Sequence, residues 1–225
     1  MKLLRIIRCV TFAVTAAVAV TFCADASAKK TSKVTIDPYQ DYNEDLFMDM
    51  DFEPNLATPI VDPTLHAPLI KLVRKTAESL RGKNVTVDLM REGEVIVLSI
   101  PSDRLFLPND TLFGPDAQAA LAPLSKVLQD PMLFKVVLAM HTDNTGSEEY
   151  LEYLSSARLN SVNDWFLTCM DNGVLSEQLI IIPYSMAASM PVTDNLTHAH
   201  RSENRRLEIY LVPGPKLIEE AMAEQ

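Results

Sequence analysis

The chain has 225 residues, 48% of them hydrophobic, and its thirty acidic against twenty basic side chains give a net charge of −10. That charge repels nucleic acid and anionic lipid surfaces, so neither is an expected partner. The roughly 160 residues from His66 onward suffice for one domain with a sizeable core.

Residues 1–28 read as a secretory signal peptide. Lys2, Arg5 and Arg8 precede an apolar run from Cys9 to Phe22, and Ala26-Ser27-Ala28 supplies the small residues of a cleavage site. The run is too short for a comfortable membrane span, and no later stretch approaches about 18 uninterrupted apolar residues. Cys23 offers an alternative as a lipid-attachment site. Bulky Phe22 stands before it where small residues are usual, so simple cleavage is expected. Removal of the leader leaves seventeen basic and twenty-nine acidic residues, a net charge of −12. It also leaves Cys169 as the single cysteine, so no intramolecular disulfide forms and stability rests on the core.

Residues 29–67 read as an acidic, flexible tether. From Asp37 to Thr64 there are four prolines, no Lys or Arg and no lasting periodicity. Asp41, Asn43 and Asp45 resemble the start of a calcium loop, but Leu46 replaces the required glycine and Phe52 the closing Glu. Leu46, Phe47, Met48 and Phe52 could dock on a partner or on the domain.

Regular patterns begin at Pro68. It opens a helix with Leu69, Val73, Ala77 and Leu80 on one face and Gly82 at its stop. Residues 85–90 and 95–100 form a hairpin around Arg91-Glu92-Gly93-Glu94. A second helix starts near Pro115 and kinks at Pro123. Residues 133–140 read as a buried strand. Residues 147–172 form a long helix that ends at Gly173 and presents Leu151, Leu154, Val162, Trp165 and Cys169 to the core. Two more strands follow at 178–184 and 205–213, then a short terminal helix. Helices between strands that pair side by side predict an α+β two-layer sandwich.

Catalytic signatures are missing: no phosphate loop, dinucleotide fingerprint or G-x-S-x-G occurs. His198 and His200, with His141 or Asp143, could approach a metal, but the spacing is loose and no tight ligand cluster supports it. Cys169 lies on an apolar helix face, as a structural thiol does. Asp143 in a glycine-bearing turn and Arg158 inside the following helix read either as a cross-brace or as two arms of a binding site.

The segments LFLPNDTLFGPDAQAALAPLSKVL, VVLAMHTDNTG, LSSAR and NLTHAHRSENRRLEIYL resemble, in order and spacing, the OmpA C-terminal-like family of peptidoglycan-binding domains. The match runs from about Val95 to Leu211, and HTD-x-x-G, LS-x-x-R and N-R-R-x-E together make it specific. The resemblance implies a β-α-β-α-β-β domain over 95–213, with residues 68–94 leading into it and 214–225 as a tail. It implies a non-catalytic protein without cofactor or metal that binds the peptidoglycan stem peptide. Asp143 and Arg158 would grip the zwitterionic end of a diaminopimelate side chain, Arg205 would assist, and Thr142 and Asn109 would lie around the pocket. A carboxylate suits the ammonium, and a guanidinium suits the carboxylate. Backbone N–H groups from Asn144 to Ser147 would add anion affinity. The expected location is the periplasm of a diderm bacterium, associated with the outer membrane, with the tether reaching an envelope protein. Several family positions differ: Met140 replaces a glycine, Leu107 an Asp, Leu151 an Asn and His200 a glycine, and YSMAAS replaces a glycine-rich turn. The alternative is therefore an envelope scaffold that keeps the fold, has lost peptidoglycan and binds a protein.

Overall fold

The computed structural model describes residues 42–58, 62–82 and 85–224. The expected signal peptide, Cys23, and residues 29–41 and 59–61 of the expected tether lie outside them. In chain order the elements are α1 (Glu44–Met48), α2 (Phe52–Asn55), α3 (His66–Leu80), β1 (Thr86–Met90), β2 (Val95–Pro101) and α4 (Ser102–Leu105). There follow α5 (Ala117–Leu121), α6 (Leu124–Val127), β3 (Phe134–His141), α7 (Glu148–Asp171), β4 (Ile181–Ala187), α8 (His198–Asn204), β5 (Arg206–Pro213) and α9 (Pro215–Ala223). Among the described residues no helix is long and apolar enough to cross a membrane.

Five strands form one sheet in the order β1-β2-β5-β3-β4. Only β3 and β4 pair in parallel, because α7 carries the chain back between them; β1–β2, β2–β5 and β5–β3 are antiparallel. Side-chain alternation divides each strand between two faces. In β3, Val136, Leu138 and Met140 face the helices, and Val137 and Ala139 face away.

The helical face holds the main core. The predicted stripe of α3 is buried there, with Leu69, Val73, Ala77 and Leu80 against β1 and β2. Each of the buried Leu and Val side chains contributes about 1.5–3 kcal/mol. The helix begins at His66, two residues before Pro68, which sits in its first turn where a missing N–H costs nothing. Pro123 does more than kink: it separates α5 from α6. Helices α3 and α9, outside the expected 95–213 boundaries, share this core through Leu69 and Val73 and through Leu217, Ile218 and Ala221. Cys169 packs at its edge, half-buried, and burial pushes its thiol pKa up.

One expectation needs correction, and two features add to the expected fold. First, residues 42–58 are not a free tether. Phe47 and Leu56 are buried against Val137, Ala139 and Val212 on the far face of the sheet, and Phe52 meets the Tyr184 and Tyr210 rings edge-on. Lys135 stands over the Phe47 ring at 3.8 Å and donates to Asn55 Oδ1 at 2.9 Å. Of the apolar residues noted within the acidic stretch, Phe47 and Phe52 find an uncovered sheet face while Leu46 and Met48 stay exposed, and burial of the former outweighs the local lack of periodicity. Second, α1 and α2 therefore add a partial third layer to the two-layer sandwich. Third, α8 lies between the last two strands, which the expected β-α-β-α-β-β order lacked. Thr197 caps it by accepting the His200 N–H.

Candidate functional site

The site lies at the end of the sheet where β2 and β3 finish and β5 begins. The turn after β3 places Thr142 and Asp143. Gly146 then takes φ +140°, and a Cβ there would stand 2.9 Å from Tyr150 Cδ1, so the entry to α7 needs glycine. Ser147 caps α7 by accepting the Tyr150 N–H. One helical period brings Leu151, Leu154, Ser155, Arg158 and Val162 to the inward face, so a cation stands in an apolar stripe. Ser155 ties that face to the strand ends: its Oγ donates to Met140 O at 2.7 Å and accepts from Ala187 N at 3.3 Å.

A cleft of about 440 Å³ opens between these elements, and all five expected residues line it: Asn109, Thr142, Asp143, Arg158 and Arg205. Asp143 and Arg158 are not each other's partner. Asp143 Oδ1 accepts from Thr145 N at 2.8 Å, and Oδ2 from Arg205 Nη1 at 2.8 Å. The Thr145 N–H, expected to help hold an anion, is thus turned onto Asp143. Burial alone would raise the Asp143 carboxyl, but the Arg205 and Thr145 donors outweigh it and hold it below the usual carboxylate range.

Arg158 is only 4% exposed. Its Nε donates to Asp110 O at 2.9 Å, and its guanidinium lies 5.0 Å from the Phe106 ring centroid. Ser161 Oγ donates to Thr111 O at 2.7 Å, clamping the same loop to α7. Arg158 Nη1 is buried without a hydrogen-bond partner among the described residues. Burial pushes its pKa down, with the Asp103 carboxylate opposing. Asn109 tolerates φ +53° in this loop, as asparagine does. Thr142 Oγ1 is also buried without a partner among the described residues.

Arg205 is held from two sides. Its Nη2 and Nε donate to the two oxygens of Asp103, at 2.9 and 3.3 Å. Asp103 was not singled out from the sequence, nor were Tyr150 and Arg201, which also line the cleft. Pro101 ends β2 and Ser102-Asp103 opens α4 beside the HTD turn, a placement set by the sheet order and carried by no local signal. With Arg158, Arg201 and Arg205 against Asp103 and Asp143, the cleft is cationic within an acidic chain.

The histidines do not converge. His141 faces the opposite side of the sheet and bonds Glu208 at 3.0 Å; His200 bonds Asp194 at 2.6 Å; His198 lines the cleft. Among the described residues no group of three metal-ligating side chains occurs. The departures from the family pattern have structural counterparts. Met140 is fully buried beneath the helices, Leu151 takes part of the cleft wall, and Leu107 is exposed. In the glycine-poor turn, Ala187 adopts φ +43°.

Residues 105–205 match the OmpA family. The outer-membrane lipoprotein YfiB of Pseudomonas aeruginosa is 38% identical over 110 residues, which cover 49% of this chain and 62% of that one. The Escherichia coli K12 protein YiaD, described as a lipoprotein, is 28% identical over 139 residues, covering 62% of this chain and 60% of its own. The chain thus spans about three-fifths of the length of these two relatives. A crystal structure of a protein described as MotB-like, from Desulfovibrio vulgaris, shares the fold. Its TM-score is 0.56 at 22% identity, over 66% of this chain and 99% of the other.

Proposed function

The chain carries an OmpA-family domain, and on that premise we propose that it is a non-catalytic cell-envelope module that binds the peptidoglycan stem peptide at the diaminopimelate end. The observation that carries this reading is Arg158. A guanidinium that is 96% buried, held by one carbonyl and one ring, and left with an open Nη1 beside a cleft is costly unless something anionic completes it. A ligand carboxylate does so with charge-assisted hydrogen bonds. Asp143 lies across the cleft for the ligand's ammonium. Arg205, Thr142 and Asn109 line the walls.

Relatives named as outer-membrane and lipoprotein components support a place in the envelope. Periplasmic export through residues 1–28 and an envelope protein partner reached through the 29–67 segment belong to the same proposal. In a pull-down with purified sacculi, the protein should sediment with them. Arg158→Ala and Asp143→Ala should each weaken that binding at least tenfold. Undiminished binding by both variants would sink the assignment.

A second reading has its own observation. Leu151 takes the place of a polar family position on the cleft wall, and Leu107 and Leu112 stand exposed on the loop beside it. An envelope scaffold that has given up peptidoglycan for a protein partner fits these side chains. No sacculus binding together with a stable co-purifying envelope protein would favour it.

A further inference from the structure

Asp143 is occupied in the free protein. One oxygen holds the Thr145 N–H and the other holds Arg205 Nη1. An ammonium approaching the second oxygen meets a guanidinium of the same sign. The site described above therefore works only if Arg205 can leave Asp143 without being left as an unpaired, half-buried cation.

Asp103 provides for that. It receives two of the three Arg205 donors, Nη2 at 2.9 Å and Nε at 3.3 Å, whereas Asp143 receives one. The two partners are also fixed to each other through the backbone: Ser102 N donates to Arg205 O at 2.9 Å. Ser202 Oγ, at 3.3 Å, further orients the Asp103 carboxylate. The Asp103 side chain is 54% exposed against 10% for Asp143, so it is the better hydrated end of the clamp and accepts the whole guanidinium at lower cost.

We propose that Asp103 is the residue that makes the cleft specific for a free amine: it retains Arg205 while the ligand's ammonium replaces Nη1 on Asp143. This rests on the stem-peptide reading above and adds a requirement to it. The diaminopimelate amine must be uncapped, as in stem peptides not cross-linked at that nitrogen. An acylated nitrogen is neutral and gains nothing by displacing a guanidinium.

The test uses two synthetic stem tripeptides containing diaminopimelate, one with its side-chain amine free and one with that amine acetylated, titrated calorimetrically into the protein. The wild type should bind the free-amine peptide at least tenfold tighter. Asp103→Asn should bring the two affinities to within about threefold, and Asp103→Glu should restore the preference. In an Arg205→Gln background Asp143 is already open, so Asp103→Asn should change nothing further. A wild-type preference retained in Asp103→Asn would overturn the role of Asp103 alone. So would an Asp103→Asn effect that persists undiminished without Arg205, since that marks a merely structural role. A wild type that binds neither peptide would overturn the stem-peptide reading and this inference with it.

Discussion

Arg158 sets stability against use. Its aliphatic stem packs with the apolar face of α7, and its head is buried with an open donor. Replacing such a cation by an apolar side chain of similar size removes a desolvation cost as well as a binding group. Arg158→Leu should therefore leave stability unchanged or raise it by about 1 kcal/mol while abolishing sacculus binding. A denaturant melt beside the pull-down checks both halves; a large loss of stability would show that the Asp110 contact is the residue's main task. The sequence exposed Arg158 because it stands inside the helix that follows the HTD turn and completes the LS-x-x-R pattern. It did not expose Asp103, whose role depends on Arg205, 102 positions along the chain.

At the scale of elements, the segment from α1 to α2 behaves unlike its composition. Acidic and without Lys or Arg, it still leads into Leu56 at 1% exposure and holds Asn55 fully buried, with Asn55 Nδ2 donating to Phe47 O at 2.6 Å. Leu56→Ala should cost about 2–4 kcal/mol, read as a lower urea midpoint at constant slope. A free tether would give no change, which would return this segment to the sequence-based expectation. Most of the other elements were legible because their signals are local. The α3 stripe, the hairpin at Gly93, Pro123 and the Gly173 stop all act within a few residues. Helix α8 was not, since His198-Ala-His has no apolar stripe and forms from the Thr197 cap.

For the molecule as a whole, pH tests the buried polar side of the sheet. Burial would raise the Glu208 carboxyl, but bonds from His141, Tyr210 and Arg206 bring it from 4.5 down to about 2. The folded state thus takes up this proton less readily than the unfolded one. The resulting stability is fully present above the unfolded value near 4.5 and is lost as pH falls from there through about 2. Asp103, Asp143 and Asp130 shift the same way and add to the slope. Urea midpoints should therefore drop steeply below about pH 4.5, and Glu208→Gln should flatten that drop. An unchanged slope would rule out the network as its source. The sequence by itself determined most of the strands and helices, and that HTD and N-R-R stand at strand ends while LS-x-x-R lies inside the long helix, because hydrophobic period and capping are short-range. Only the tertiary structure decided that Asp143 pairs with Arg205, that Asp103 shares it, and that residues 42–58 cover the second face. Those contacts follow from the strand order β1-β2-β5-β3-β4, which sets the ends of β2, β5 and β3 side by side. No local pattern encodes which distant charge will arrive there.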